Sequence, residues 1–319
     1  MTEKLAYVGK IVKLHPIEGA DNIVSSTVVC GTGGRWMGVV QKKAFREGDK
    51  CIVFLPDCVV PQTEQYSFME KHKWRVKMTR FKGAPSEVLI VPLEHEFMEV
   101  GYDASAFIGV DRYFKPIPVN LQGELLGSFP PFIPKTDELN YQMHFDLVEK
   151  LHGNPYYVTE KADGSSTTAF NYRGHFGVCS RNYELVKNYD NGYWKVAERY
   201  KVEQRLPSGV ALQWETVGPK IQGNPMGFKE VDGRAFSAYD IENQEYLRMD
   251  DFKDLCKSIA FPSVKMLECG ESFNKEGVEL LGEGKYENGK EREGVVVRSQ
   301  GNYFLNHPIS FKVINLNYA

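Results

Sequence analysis

A proline-rich stretch near the middle of the chain restricts its possible folds more than any other feature. Between residues 113 and 134, five prolines occur: Pro116, Pro118, Pro130, Pro131 and Pro134. Proline lacks a backbone N–H and has a fixed φ, so this stretch cannot continue a helix or the inside of a sheet. We therefore predict a connector over 113–134. The 319 residues are then expected to form two domains, 1–112 and 135–319.

The first domain is predicted to consist of short strands. Strand-like segments separated by turn residues occur at 7–14, 23–29, 36–41, 51–55, 71–78 and 88–92. Five or six short strands in about a hundred residues favour a small antiparallel barrel of the OB kind. We expect fewer helices, with the best candidates in the second domain at 135–152, 191–205 and 250–258.

The segment 71–78 alternates basic and apolar residues. If it is a strand, one face carries basic side chains, which Arg80 extends: Lys71, Lys73, Arg75 and Lys77. The net charge of the chain is only −3, so a nucleic-acid contact has to be local. We predict that this basic face binds phosphates, and a merely solvated strand is the alternative.

A lysine in the second domain has the surroundings of a nucleophile. Lys161 lies at the end of the run 157–160, which begins with apolar and β-branched residues, and precedes Asp163 and Gly164. A lysine attacks phosphorus only as the free amine, so we expect the fold to lower its pKa by burial and nearby positive charge. Gly164 is expected to adopt a positive φ, which would let the chain turn sharply and project Lys161 into a cleft.

Four later segments carry matching chemistry. Glu215 ends a strand before a Gly-Pro turn, and Phe236 and Tyr239 lie on an alternating strand. Glu293 enters a β-branched strand, and Lys312 lies on the last strand. Together with Arg181, the lysines can neutralise phosphate charge, while Glu293 can bind Mg²⁺ or Mn²⁺. A ribose needs an acceptor and a purine needs an aromatic face, which Glu215 and Phe236 or Tyr239 would supply.

In this order, the segments from about 135 to 314 resemble the nucleotidyltransferase motifs of ATP-dependent polynucleotide ligases and RNA capping enzymes. The resemblance implies that Lys161 accepts AMP from ATP and that Glu215 holds the ribose. It implies that Phe236 stacks on adenine and that Glu293 binds the metal. It also implies that Lys312 contacts the α-phosphate and that Arg181 lies near the sugar or the nick.

The domain order narrows the resemblance. The chain ends seven residues after Lys312, which leaves no room for a later barrel, and the barrel is predicted to come first. This order is similar to that of ATP-dependent RNA ligases with an N-terminal OB domain. The chain departs from that group at two places. A second lysine, spaced from the first by one residue, is usual in the last motif, but Lys312 has Ser310 before it and Ile314 after it. Asn140 stands where relatives often have an arginine.

The resemblance implies an α+β enzyme, an ATP-dependent RNA ligase. It would join 3′-OH and 5′-phosphate ends of RNA through lysyl-AMP and AMP-capped RNA, in RNA repair. A DNA ligase or mixed DNA/RNA nick sealer, and a nucleic-acid-binding protein with a decayed nucleotidyltransferase domain, remain alternatives. No apolar run spans a bilayer and the six cysteines form no Cys-x-x-Cys pair, so we expect a cytoplasmic monomer with buried thiols.

Overall fold

The structure, a computed structural model, describes residues 4–94, 97–113, 124–301 and 307–318. The chain forms two compact units. The first contains Met1–Pro116 and Gln142–Asp146, and the second contains Ile117–Tyr141 and Leu147–Ala319. Part of the expected connector, 114–123, lies outside the described residues. Residues 142–146 thus group with the first unit, although they follow the connector in sequence.

The first unit is built on a five-stranded antiparallel sheet with the order β3-β2-β1-β4-β8. The strands of the whole first unit are β1 (Ala6–Pro16), β2 (Ile23–Val29), β3 (Arg35–Gln41), β4 (Lys50–Phe54), β5 (Cys58–Val59), β6 (Thr79–Phe81), β7 (Ala84–Ser86), β8 (Leu89–Pro92) and β9 (Asp111–Arg112). A 3₁₀ helix (Glu64–His72) and α1 (Ser105–Ile108) complete it. Alternating apolar residues of these strands pack inward, among them Val8, Ile11, Val28 and Val53.

The basic segment 71–78 is not a strand, and that prediction is wrong. The 3₁₀ helix covers its first two residues, and Lys73 and Trp74 have left-handed backbone with φ of 53° and 55°. Arg75 is held by an ion pair of 2.6 Å to Asp57. The alternating pattern therefore reflects a turn around buried Val76, and no regular basic face forms.

A buried carboxyl group fastens residues 142–146 to the first unit. The Nε2 of Gln142 donates to both oxygens of Glu87, at 3.1 and 3.2 Å, and to the carbonyl of Arg35 at 2.7 Å. The backbone N–H of Met37 also donates to Glu87, at 2.9 Å. Burial outweighs these bonds and raises the pKa of Glu87 to about 7.

This carboxyl group should make the first unit less stable as the pH rises from about 4.5 to 7. A pKa that is higher in the folded than in the unfolded state means that the folded protein binds the extra proton, so stability falls in that window. A rise from 4.5 to about 7 corresponds to roughly 3 kcal/mol. Glu87→Gln should flatten the dependence of the unfolding free energy on pH between 5 and 8. Parallel curves for parent and variant in urea titrations would contradict this.

The second unit contains a seven-stranded and a four-stranded antiparallel sheet, which confirms the α+β expectation. The seven-stranded sheet has the order β10-β14-β13-β12-β15-β16-β17, and the four-stranded one β18-β11-β19-β20. The strands are β10 (Leu125–Ser128), β11 (Tyr156–Glu160), β12 (Ser165–Tyr172), β13 (His175–Cys179), β14 (Tyr183–Leu185), β15 (Val210–Val217), β16 (Asp232–Asp240), β17 (Glu245–Tyr246), β18 (Met266–Gly270), β19 (Gly294–Ser299) and β20 (Ser310–Ile314).

The helices are short: α2 (Phe145–Leu151), α3 (Gly192–Arg199), α4 (Val202–Arg205), α5 (Met249–Ser258) and a 3₁₀ helix (Val278–Gly282). Helices α3, α4 and α5 cover one face of the seven-stranded sheet, where Trp194, Val202 and Leu255 pack against Trp214 and Ala235. The opposite face of that sheet looks toward the four-stranded sheet across a pocket that both sheets line. Among the described residues, no helix has the length and apolarity needed to cross a bilayer.

Two helix predictions differ from the structure. Only Phe145–Leu151 of the expected helix 135–152 is helical. The preceding residues pair with β20 instead, where the carbonyl of Leu139 accepts from Lys312 at 2.8 Å and Tyr141 donates back at 3.1 Å. The expected helix 191–205 is interrupted at Lys201, which is left-handed with φ of 52°. Tertiary hydrogen bonds and backbone turns thus override local helical preference. The thiol of Cys269 is also exposed, contrary to expectation.

Candidate active site

Lys161 and Glu293 meet because their strands are neighbours. In the antiparallel pair β11 and β19, Glu160 lies opposite Val295, and the N–H of Lys161 continues the ladder to the carbonyl of Gly294 at 3.0 Å. The residue before that glycine is Glu293, whose Oε2 lies 2.5 Å from the Nζ of Lys161. Each of these two side chains is only about a fifth exposed, 23% and 22%. The sheet register therefore holds an amine and a carboxylate together in a partly desolvated site.

The protonation of Lys161 differs from the expectation. Burial lowers the pKa of the amine, but the Glu293 carboxylate raises it more, with help from Glu215 and Asp163, and the net pKa is above the ordinary value. The shift is therefore opposite in direction to the one expected, and this arrangement favours the ammonium form of Lys161. A cation that takes up the charge of Glu293 would remove the main cause of the rise and favour the neutral amine.

Gly164 is required for a reason other than the one expected. It does not have a positive φ. A Cβ at this position would instead lie 2.2 Å from the carbonyl oxygen of Thr216. The turn after Lys161 thus packs against the end of β15, where the backbone N–H of Gly164 donates to the carboxylate of Glu215. A glycine permits this approach because it has no side chain.

Glu215 lies on the pocket side of β15, close to the charges around Lys161. Burial raises its pKa to about 8, the carboxylates of Glu293 and Asp163 add to the rise, and Lys161 opposes it. Burial and the two carboxylates thus favour its protonated form, while Lys161 and the N–H of Gly164 favour the ionised form. Its position fits the predicted role as a partner for hydroxyl groups.

Lys312 lies one strand away from Lys161. It sits on β20 opposite Val296 of β19, and Asn140 forms an isolated parallel bridge with it. Burial lowers the pKa of Lys312, and the positive charge of Lys161 lowers it further, while Glu293 acts in the opposite direction. The two lysines are thus within electrostatic reach of each other and of Glu293. Two cations at one place suit a group with several negative charges, such as a phosphate.

Phe236 reaches the pocket through an irregularity in β16. Opposite Gln213 and Trp214, β16 places Ser237 and Ala235, so Phe236 is an extra residue between them. Such a bulge redirects a side chain. The ring is half-buried beside a pocket of about 230 Å³, with the guanidinium of Arg298 6.0 Å from the ring centre. Tyr239 is 5% exposed and lies in the core, so of the two aromatic candidates it is Phe236 that lines the pocket, together with Tyr157, Tyr246 and Phe252.

Arg181 lies in the turn between β13 and β14 and forms an ion pair with Asp137 at 2.5 Å. Both side chains are more than half exposed. Asp137 raises the pKa of Lys312, so it is within electrostatic reach of that lysine. The structure therefore connects Arg181 to the Lys312 side of the site through Asp137, and does not place it against Lys161.

Sequence reasoning missed a buried ion pair beside the pocket. Arg298, 4% exposed, lies 2.5 Å from Oε1 of Glu138, and the hydroxyl of Ser310 donates to Oε2 of Glu138 at 2.5 Å. Burial lowers the pKa of Arg298, but the carboxylate of Glu138 raises it more, so the net shift is upward. Ser310 therefore has a contact of its own, since its hydroxyl donates to the carboxylate of Glu138. The sequence feature that could have indicated this ion pair is an arginine five residues after Glu293, in a strand whose other residues are mostly apolar.

The residues present fit a divalent cation held jointly with a nucleotide. Glu293 offers a carboxylate, which Mg²⁺ and Mn²⁺ prefer. Among the described residues, no group of three or more His, Cys, Asp and Glu side chains forms a complete metal site. Mg²⁺ is commonly bound by one or two carboxylates plus the phosphates of the substrate, so an incomplete protein site is expected for this chemistry.

Comparison with known proteins gives two family matches. The RNA ligase family matches residues 154–314, and an OB-fold domain family matches residues 5–93, which confirms the expected barrel. A search of curated proteins found no match. These two family matches together cover the five-stranded sheet and, apart from β10, the sheets that carry Lys161, Glu215, Glu293 and Lys312.

Solved structures of Naegleria gruberi RNA ligase are similar over nearly the whole chain. A lysine-to-alanine mutant with ATP and Mn is 31% identical, with a TM-score of 0.80, and the match covers 98% of this chain and 97% of that one. The same ligase with PPi has a TM-score of 0.78, and a glutamate-to-alanine mutant with AMP and Mn has 0.79, at the same identity and coverage. The chain belongs to the RNA ligase family.

Proposed function

We propose that the protein is an ATP-dependent RNA ligase that joins a 3′-OH to a 5′-phosphate. The observation that carries this proposal is the Lys161–Glu293 pair, 2.5 Å apart, with Lys312 beside it and Phe236 at the adjoining pocket. The structures of the Naegleria gruberi ligase with ATP, AMP, Mn and PPi support ATP and a divalent metal as its cofactors.

In the first step, the Nζ of Lys161 attacks the α-phosphorus of ATP. The amine gives up its protons to solvent, a P–N bond forms, the bond from the α-phosphorus to the oxygen bridging it to the β-phosphate breaks, and pyrophosphate leaves. Phe236 offers the base an aromatic face, Glu215 bonds the ribose hydroxyls, and Lys312 lies where it can neutralise an α-phosphate oxygen. A divalent cation on Glu293 neutralises phosphate charge when bound.

The proton on Lys161 is controlled by Glu293. While the carboxylate pairs with Lys161, the amine stays protonated and cannot attack. Once another cation takes up the charge of Glu293, burial and the neighbouring charge of Lys312 favour the neutral amine. The same carboxylate thus protects the nucleophile in the free enzyme and releases it when the reactants arrive.

In the later steps, the 5′-phosphate of the RNA attacks the lysyl-AMP phosphorus, which frees Lys161 and forms AMP-capped RNA. The 3′-OH then attacks the 5′-phosphate, and AMP leaves. Arg181 and Lys312 are our candidates for contacts to RNA phosphates in these steps. We assign the reaction to RNA repair because it restores a broken strand. The six cysteines are all free thiols, which supports a reducing compartment such as the cytoplasm, and we propose a monomer.

The first unit is proposed to bind the RNA backbone. Lys71, Lys73 and Lys77 are exposed around the turn after the 3₁₀ helix, and Arg80 is exposed on β6. Arg75 is less available, because it pairs with Asp57 and its guanidinium stacks on Tyr113, 3.7 Å from the ring centre. Exposed lysines on a turn bind phosphates through charge, without a preference for particular bases.

Replacing Lys71, Lys73 and Lys77 by alanine should weaken RNA binding and leave the reaction with ATP unchanged. Each lost phosphate contact lowers the slope of log affinity against log salt by about 0.7 to 0.9. The variant should therefore seal RNA poorly at physiological salt and improve at low salt. A matched control replaces three exposed helical lysines of the second unit: Lys195, Lys253 and Lys257. Equal RNA affinity and equal salt slope in parent and variant would show that this turn does not bind RNA.

The proposed activity is tested by mass. The intact protein incubated with ATP and Mg²⁺ should gain the mass of one AMP, and a 5′-phosphorylated RNA nick should then be sealed. Matched RNA and DNA nicks distinguish the intended substrate, because an RNA ligase should seal the RNA strand far faster. Faster sealing of DNA would identify a DNA ligase, and a protein that takes up no AMP would be a binding protein only.

A further inference from the structure

The hydroxyl of Tyr286 lies between the two residues that form the centre of the site. It donates to the backbone carbonyl of Lys161 at 3.0 Å and accepts from the backbone N–H of Glu293 at 3.1 Å. The residue is 3% exposed, so water does not readily replace these bonds. One oxygen atom thus joins the main chain of the expected nucleophile to that of the expected metal ligand.

The ring of Tyr286 is fixed by its own loop. Its N–H donates to the carbonyl of Lys290 at 2.8 Å, and its carbonyl accepts from Gly289 at 2.9 Å, which closes a tight turn. Downstream in the same loop, Arg292 donates to the carbonyls of Leu281 at 3.0 Å and of Gly282 at 3.4 Å. The loop that leads into β19 is therefore braced at several points, and Tyr286 is its link to Lys161.

The strand ladder alone does not fix both side chains. The last ladder bond on this side runs from Lys161 N–H to Gly294 carbonyl, so the carbonyl of Lys161 and the N–H of Glu293 point beyond the paired region. Tyr286 supplies both of these groups with a partner. Its hydroxyl extends the pairing of β11 and β19 by one step, at the place where the reacting side chains leave the backbone.

We propose that Tyr286 is a positioning residue for the adenylylation reaction. It holds the main chain of Lys161 and that of Glu293 at a fixed separation while their side chains part to admit ATP and a cation. The inference rests on the proposed function. Partners that orient a nucleophile or a metal ligand from behind typically change activity or metal affinity about 10- to 100-fold when they are removed.

The test compares Tyr286→Phe with Tyr156→Phe. Tyr156 lies at the other end of β11, is 9% exposed, and donates its hydroxyl to the exposed Glu268, so its variant loses a partly buried tyrosine bond of the same strand away from Lys161. Single-turnover formation of the AMP adduct is measured at saturating ATP, and the Mn²⁺ concentration is then varied. Circular dichroism melting of both variants reports on folding.

We expect Tyr286→Phe to lower the maximal adenylylation rate about 10- to 100-fold, and to raise the Mn²⁺ concentration needed for half of that rate. The ATP concentration for half-maximal rate should stay the same, since the ring and the base pocket are untouched. Tyr156→Phe should keep the parent rate within about twofold, because its bond is remote from the site. Both variants should melt close to the parent temperature.

Three results would overturn the inference: a rate for Tyr286→Phe within twofold of the parent, an equal loss in Tyr156→Phe, or a loss that appears only as weaker ATP binding. The failure of the proposed function looks different, because the parent protein itself would then take up no AMP. A parent that forms the adduct while Tyr286→Phe forms it equally fast contradicts the positioning role alone.

Discussion

Lys161→Ala should form no AMP adduct at any ATP concentration. The amine that would bond to phosphorus is removed, and no other lysine in the described ranges lies 2.5 Å from a carboxylate at the end of a paired strand. Sealing of RNA that already carries the AMP cap should survive in part, because that step uses the 3′-OH as the nucleophile. Intact mass and a sealing assay with capped RNA measure the two effects separately.

The matched control for this change is Lys265→Ala. Lys265 is exposed, immediately precedes β18 of the same sheet and lies 3.5 Å from Glu287, and its loss should leave the adduct unchanged. Peptide mapping of the parent should find AMP on Lys161. An adduct on Lys312 or Lys220 would show that the nucleophile has been misassigned, even if Lys161→Ala were inactive.

Glu293→Gln should slow AMP transfer on the order of a thousandfold, equivalent to about 4 kcal/mol of lost charge stabilisation in the transition state. The direction in which the pKa of Lys161 changes in this variant separates two explanations of the loss. Without the carboxylate, the pKa of Lys161 should fall, since Glu293 is the main group that raises it. The variant would thus contain more of the reactive amine and still react slowly, which would assign the loss to the metal and not to the proton.

Glu287→Gln provides the comparison, because Glu287 is 85% exposed and lies in the same loop. It should adenylylate at the parent rate. Both variants should keep the parent circular dichroism spectrum. Near-normal adenylylation by Glu293→Gln across a range of Mg²⁺ and Mn²⁺ concentrations would show that the cation has other ligands.

The sequence predicted those parts of the fold that rest on strand periodicity. Strand β2 was predicted with its observed bounds, and β1, β3 and β4 within two residues, because alternating burial leaves a direct trace in the pattern. The segment 71–78 shows the limit of that argument. Its alternation is equally regular, yet Lys73 and Trp74 have left-handed backbone and turn the chain. Neither residue is a glycine, which is the residue type that would indicate such a turn in the sequence.

Motif order predicted that Lys161, Glu215, Glu293 and Lys312 lie close together, and strand pairing brings these four side chains within electrostatic reach of one another. Their roles stay predictions, and the electrostatics were not predictable. The sign of the pKa shift at Lys161 depends on a distance of 2.5 Å across two strands, which no spacing in the sequence reveals. Tyr286 was missed for a similar reason, because its role depends on a backbone turn and not on a pattern of residue types.

The assignment of residues 142–146 to the first unit bears on how the protein folds as it is synthesised. The chain passes between the two units at 116, 141 and 146, so the N-terminal unit lacks Gln142, the partner of buried Glu87, until that residue has left the ribosome. Domains usually fold in order from the N-terminus. Here the first unit should stay incomplete while about twenty-five further residues emerge, with a modest loop-closure cost. An N-terminal fragment ending at 116 should accordingly be less stable than one ending at 146.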